Sequence, residues 1–180
     1  MAHIERKLSS KPVFEGKIVN VYHDTVELEN GNQAFREVIR HPGAVAVLAL
    51  DGDEILLVRQ YRYCIGQELL EIPAGKLEPG EEPLSAAARE LSEETGSTCG
   101  ELIPLGKYYG SAGCMDEGIH LYFGRISCKG CSHPDEDEFL RIRRISIHDA
   151  TEMILRGEIP DGKTQLGILR AKLWWEQNHG

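Results

Sequence analysis

The chain has 180 residues, enough for one domain of the usual ~100–200 residues with a sizeable core and no need of disulfide or metal staples. Its 41% hydrophobic and 27% charged residues exclude disordered, collagen-like and membrane-spanning classes, and the longest apolar run, Ala44–Leu50, falls far short of the ~20 residues that cross a bilayer. Twenty Lys and Arg against 29 Asp and Glu leave a charge of −9, which repels nucleic acid and would repel a free nucleotide too, unless a divalent cation stood between carboxylates and phosphates.

In chain order, Met1–Lys7 has no apolar core of a secretory signal, so the protein is expected to stay in the cytoplasm. Val19 and Val21, then Val26 and Leu28, alternate ahead of the turn Glu29-Asn30-Gly31-Asn32, which predicts strands and hairpins over the first forty residues. His41-Pro42-Gly43 breaks the chain before a buried strand, Ala44–Leu50. Asp51-Gly52-Asp53 turns it into a returning strand, Ile55–Gln60. Further strands are predicted near Leu69–Ile72, Leu105–Tyr109, Ile119–Ile126 and Phe139–Ile145. A helix is predicted over Pro83–Thr95, with Pro where its missing N–H costs nothing and Gly96 as its stop. Two more follow at His148–Arg156 and Thr164–Gln177. Many strands around one central helix, with helices outside, make a mixed α/β architecture. Five cysteines, Cys64, Cys99, Cys114, Cys128 and Cys131, are an odd number and read as reduced thiols. Cys128-Lys-Gly-Cys131 with His133 has half the spacing of a zinc site but no second matching pair, so two loop cysteines are the better reading.

Chemistry concentrates on the central helix. Leu84, Ala87, Ala88 and Leu91 predict its buried stripe, while Glu90, Glu93 and Glu94 share one narrow arc. Three carboxylates so close repel one another unless a cation joins them. Arg89 can meet Glu93 one turn on, but one guanidinium does not neutralise three carboxylates. The arc is either a solvated acidic face or the oxygen-rich seat of Mg²⁺ or Mn²⁺.

The surrounding residues point to the second. Gly75, Glu81 and the run Arg89-Glu90-Leu91-Ser92-Glu93-Glu94-Thr95-Gly96 resemble the Nudix box at every charged and glycine position. The one departure is Ser97, where the signature carries a bulky aliphatic. The resemblance implies the Nudix fold, a mixed β-sheet sandwiched between helices, here with an N-terminal antiparallel strand extension. It also implies hydrolysis of a nucleoside diphosphate linked to another group, with Mg²⁺ or Mn²⁺ as cofactor. By the same resemblance Glu90, Glu94 and the backbone carbonyl of Ala74 are metal ligands, Glu93 binds metal or tunes water, and Arg89 orients it. Glu81 supports the loop.

Outside the box the chain is similar to the ADP-ribose pyrophosphatase branch. Leu57-Val58-Arg59-Gln60-Tyr61-Arg62 followed by Glu71-Ile72-Pro73-Ala74-Gly75 is similar to the branch's run ahead of the box, which implies that Arg62, and more weakly Arg59, reaches the diphosphate. Gly110-Ser111-Ala112-Gly113-Cys114-Met115-Asp116-Glu117 resembles its substrate loop, with Ala112 where proline is usual, and makes Gly113 a substrate contact. Pro134-Asp135-Glu136-Asp137-Glu138 resembles an acidic loop in which Glu136 or Glu138 would be general base or complete the metal shell. The N-terminal strands match an extension that exchanges between two subunits. Phe35 falls where relatives stack adenine and Arg40 where a basic residue contacts substrate. Residues 1–42 are thus expected to be a dimerising extension that supplies part of the substrate pocket, and 43–180 the hydrolase domain. The chain is expected to be a homodimer acting on a small nucleotide diphosphate, with neither nucleic acid nor membrane as partner. ADP-ribose cleavage to AMP and ribose 5-phosphate is the leading expectation. Another nucleotide sugar or coenzyme diphosphate is the runner-up, and an inactive nucleotide-binding regulatory module a third.

Overall fold

The computed structural model describes residues 3–133 and 139–179. They form two compact units, Met1–Gly43 with Tyr109–Gly118, and Ala44–Tyr108 with Ile119–Gly180.

The first unit is a three-stranded sheet of β1 (Arg6–Glu15), β2 (Asn20–Glu27) and β3 (Gln33–Arg40) in that order, all antiparallel. The β2–β3 hairpin has the predicted turn, with Gly31 at φ 79° and Asn32 N–H bonded to the Asn30 side chain. β1 is exposed along its whole length and shows no apolar alternation, so its strand form comes from backbone pairing with β2, with irregularities at Lys7/Ser9 and Pro12/Phe14. The loop after Tyr109 is zipped to β3: Ile39 N–H donates to the Cys114 carbonyl at 2.7 Å and Asp116 N–H to the Ile39 carbonyl at 3.1 Å.

The second unit is a seven-stranded mixed sheet. Its main order is β10 (Arg141–Ser146), β5 (Glu54–Arg62), β4 (Ala44–Asp51), β9 (Gly118–Lys129), β8 (Ser97–Tyr109), with β6 (Gln67–Glu71) on β5 and β7 (Ala74–Lys76) on β4. β4 runs parallel to β9 and antiparallel to β5 and β7. Because β4 is buried on both faces, it reads as an unbroken apolar run rather than an alternating one. Its Ala44, Ala46 and Leu48 face a core shared with Ala150 of α2 (Ile147–Leu155) and Ile168 and Ala171 of α3 (Gly162–His179). Val45, Val47 and Ala49 face the other way, onto Ala86, Ala87 and Leu91 of α1 (Pro83–Thr95). The sheet therefore lies between α1 on one face and α2 and α3 on the other, the expected mixed architecture. No described helix is long and apolar enough to cross a membrane.

α1 starts at Pro83 and ends at Gly96, whose φ of 67° and N–H to the Ser92 carbonyl make a left-handed cap. Its buried stripe differs from the expected one. Leu84 and Ala88 are exposed, and the buried residues are Ala86, Ala87, Leu91, Glu94 and Thr95. Alanines on several faces leave the orientation of the helix to the sheet beneath it, and the face chosen takes a carboxylate inside.

Candidate active site

The sequence Ile72-Pro73-Ala74-Gly75 runs off the end of β6 and passes directly in front of α1. Glu94, 2% exposed, accepts the Ala74 N–H at 3.2 Å. Glu90 closes over Gly75 so tightly that a Cβ there would sit 2.1 Å from its carboxyl carbon. Glycine at 75 is what lets the Glu90 carboxylate come this close, its φ being ordinary. Two carboxylates thus converge on one short stretch of main chain.

Arg89 organises the acidic residues around them. Its Nε and Nη2 fork Glu81 at 2.9 Å each, and Nη1 donates to both Glu90 and Glu93, again at 2.9 Å. Nη2 also donates to the Lys76 carbonyl, at 3.3 Å, and Glu81 accepts the Glu78 N–H at 3.0 Å. The Arg89 bonds, then the Glu78 N–H, hold the Glu81 carboxyl down at about 2. The same acids, Glu81 foremost, drive the guanidinium further above its ordinary value. Glu81 therefore braces the loop through Arg89. Glu93 is the most open of the three helix carboxylates, 43% exposed against 13% for Glu90. His133 N–H donates to the Glu93 carbonyl at 2.7 Å, beside the last turn of α1. Glu136 and Glu138 lie outside the described residues.

Arg62, at the end of β5, is turned onto a buried carboxylate: its Nε and Nη2 each donate to Glu71 at 2.7 Å. Arg59 is half-buried on the same strand, opposite Leu70 and Arg141. Among the described residues no three His, Cys, Asp or Glu side chains gather as a metal-holding group. What converges is the carboxylate pair Glu90 and Glu94 at the Ala74–Gly75 main chain, an all-oxygen donor set that fits a hard divalent cation.

In the first unit, Phe35 stands on β3, 56% exposed, with its ring edge-on to His23 at 4.7 Å between centroids. It is a surface aromatic and not a core one. Arg40 lies between Asp116, 3.0 Å away, and buried Asp24 at 3.5 Å. Burial pushes the Asp116 carboxyl up, but the His41 N–H and Arg40 outweigh it and hold it below its ordinary value. Gly113 is exposed in the turn Ser111–Met115, with open space around its Cα.

Sequence reasoning left Glu71, Asp161, Lys163 and Thr164 without roles. The one signal for them was a charged residue inside the apolar run Leu69-Leu70-Glu71-Ile72.

The family profile for the NUDIX domain matches residues 40–164, and that for the nucleoside diphosphate sugar hydrolase N-terminal domain matches residues 5–39. The chain is 40% identical over 172 residues to the ADP-ribose pyrophosphatase of Bacillus subtilis (strain 168), which covers 94% of this chain and 93% of that one. Identity and coverage are the same with the methanol dehydrogenase activator of Bacillus methanolicus. The crystal structure of an ADP compounds hydrolase superposes over 97% of this chain and 96% of its own, with a TM-score of 0.84 at 19% identity, a likeness of fold. With the box residues braced around one glycine and a family profile spanning most of the chain, the protein belongs to the Nudix family.

Proposed function

We propose that the chain is a Mg²⁺-dependent pyrophosphohydrolase that cleaves the diphosphate of ADP-ribose to AMP and ribose 5-phosphate, with Mn²⁺ as a substitute metal. The observation that carries this reading is the convergence of Glu90 and Glu94 on Ala74–Gly75. Glu90, Glu94 and the Ala74 carbonyl would hold the metal, with Glu93 available to it. Bound there, a divalent cation would supply positive charge against the diphosphate oxygens and would make a water a stronger nucleophile towards phosphorus. The protein's own residues do the rest. Arg89 bridges Glu90 and Glu93 through Nη1 and fixes their direction. Glu93, open to solvent, binds the metal or tunes the water, and Glu136 or Glu138 acts as general base or completes the metal shell. Arg62 and Arg59 meet the diphosphate. Phe35 and Arg40, on the extension of residues 1–42, belong to the adenosine end, and Gly113 contacts substrate from the 110–117 loop.

The test is to incubate the purified chain with ADP-ribose and Mg²⁺ and look for AMP and ribose 5-phosphate. Glu94→Gln, nearly isosteric, should remove at least ~100-fold of the turnover while the protein stays folded. Turnover unchanged at saturating Mg²⁺ would overturn the ligand assignment. A panel of other nucleotide sugars and coenzyme diphosphates fixes the leaving group, since Ala112 departs from the ADP-ribose loop pattern. The equal identity to a methanol dehydrogenase activator supports a second reading, activation of such a dehydrogenase by this chain. Adding wild type and Glu94→Gln to a methanol dehydrogenase assay separates a hydrolytic from a purely binding effect.

A further inference from the structure

Glu71 is a carboxylate with no access to solvent, set among Leu69, Leu70 and Ile72 in the strand that leads into the site. Two cations converge on it. Arg62 forks both oxygens, and Lys163, from the first turn of α3, donates to Oε2. Lys163 is held in turn by Asp161 at 3.1 Å. The other oxygen of Asp161 caps α3, accepting Thr164 N–H at 2.9 Å and Thr164 Oγ1–H at 2.6 Å. Thr164 Oγ1 then accepts the Ile72 N–H at 2.9 Å. Side chain and main chain of residues 71–72 are thus both tied to the start of α3. Burial pushes the Glu71 carboxyl up, but the Arg62 fork and Lys163 outweigh it.

The fork uses Nε and Nη2 of Arg62 and leaves the Nη1 edge outside it. That side chain is 41% exposed, and its guanidinium feels the charge of Glu94 as well as those of Glu71 and Asp161. A planar guanidinium anchored along one edge presents the other in a fixed direction. With Lys163 present, two cations balance Glu71 and Asp161. Without it, Arg62 alone faces both acids, and its outer edge is drawn inward and electrostatically spent.

We propose that Glu71 and Lys163 are positioning residues for substrate: together they hold Arg62 with its Nη1 edge turned to the phosphates, and neither touches substrate itself. This rests on the diphosphate-hydrolase reading above and adds to it the device that aims the arginine.

Lys163→Met in the full chain tests it. With ADP-ribose and saturating Mg²⁺, KM should rise about tenfold with kcat within about twofold, because a contact made equally in ground and transition states is weakened. Lys163→Arg should restore KM. Binding of inorganic diphosphate with Mg²⁺, followed by calorimetry, should weaken by the same factor and does not depend on turnover. A merely structural lysine would lower thermal stability and the active fraction, leaving KM and the diphosphate Kd unchanged; that result overturns the proposal. If wild type does not cleave ADP-ribose, yet diphosphate binding falls in the variant, the substrate reading fails and the positioning role stands. Should Lys163→Met not fold, Lys163→Gln, which keeps a donor to Glu71, is read by the same two measurements.

Discussion

At the scale of single residues, the site depends on one missing side chain and one buried charge. Gly75→Ala would put a methyl 2.1 Å from the Glu90 carboxyl carbon. The glutamate is flexible and swings away, so stability should change by less than about 1 kcal/mol, while kcat/KM falls by roughly 100-fold or more as the carboxylate leaves its place. Paired urea unfolding and steady-state kinetics check this, and a loss of stability without loss of turnover would contradict it. Glu71 gives the pH dependence. Its folded carboxyl sits below the ordinary 4.5, so its contribution to stability is complete above that value and is lost as pH falls through the lowered one. Removing Lys163 raises the folded value and narrows the gap to the unfolded chain. The slope of unfolding free energy between about pH 3 and 6 should therefore be shallower in Lys163→Met than in wild type; equal slopes would mean Lys163 does not stabilise the anion. Neither residue was legible in full. Gly75 could be read as part of the box, but its steric reason could not. Glu71 stood out as a charge among apolar neighbours, yet its partners lie 9 and 92 positions away, a distance no local pattern spans.

At the scale of elements, legibility followed how local the cause was. α1 was readable because Pro83 and Gly96 set its ends by their own backbone chemistry. β4 and β5 were readable as apolar runs on either side of a tight turn. β7 was not, because it exists through pairing with a neighbour and is only three residues long, and β1, within the first forty residues read as strands, is wholly exposed and has no apolar pattern to fix its bounds. The face of α1 was misjudged for the same reason, since the sheet and the Ala74 N–H decide that Glu94 points inward while Leu84 does not. The cap of this helix carries a prediction. Gly96 and Gly80 both have positive φ, but a Cβ at 96 would lie 2.5 Å from the Gly130 carbonyl oxygen, whereas 80 is open. Gly80→Ala should cost about 1 kcal/mol, the left-handed penalty alone. Gly96→Ala should cost at least about twice that, as the 130–131 backbone must move too. Denaturant midpoints of the two variants decide it, and equal midpoints would show that the 130–131 backbone, whose Gly130 N–H donates to the Gly96 carbonyl at 2.7 Å, yields freely.

At the scale of the whole molecule, the Nudix fold was legible from the box and the strand pattern together, and the pairing of the N-terminal strands with a second subunit was expected from resemblance alone. A three-stranded sheet with Leu8, Val13 and Phe14 exposed on its outer strand needs a cover for its apolar side chains, and we expect a second copy of the chain to provide it. Light scattering at micromolar concentration should give the mass of two chains. Deleting residues 1–40 should give one, with the Glu90–Glu94 arrangement kept. An intact chain that scatters as a single copy would sink the dimer.

Arg89 has a consequence for the protein without its metal. Bonded at once to Glu81, Glu90 and Glu93, it acts as a tethered counter-ion already in residence among the acids. Loading the site is then an exchange between a cation on a leash and one from solution, rather than the filling of a repulsive void. Stripping the protein with a chelator should abolish turnover yet move the thermal midpoint by only a few degrees, about what mass action on a bound ion gives. Arg89→Met should reverse the pattern, lowering the midpoint most in the stripped state, where no metal ion shares the neutralisation of the carboxylates. The helix can thus be born, fold and wait for its ion without unwinding.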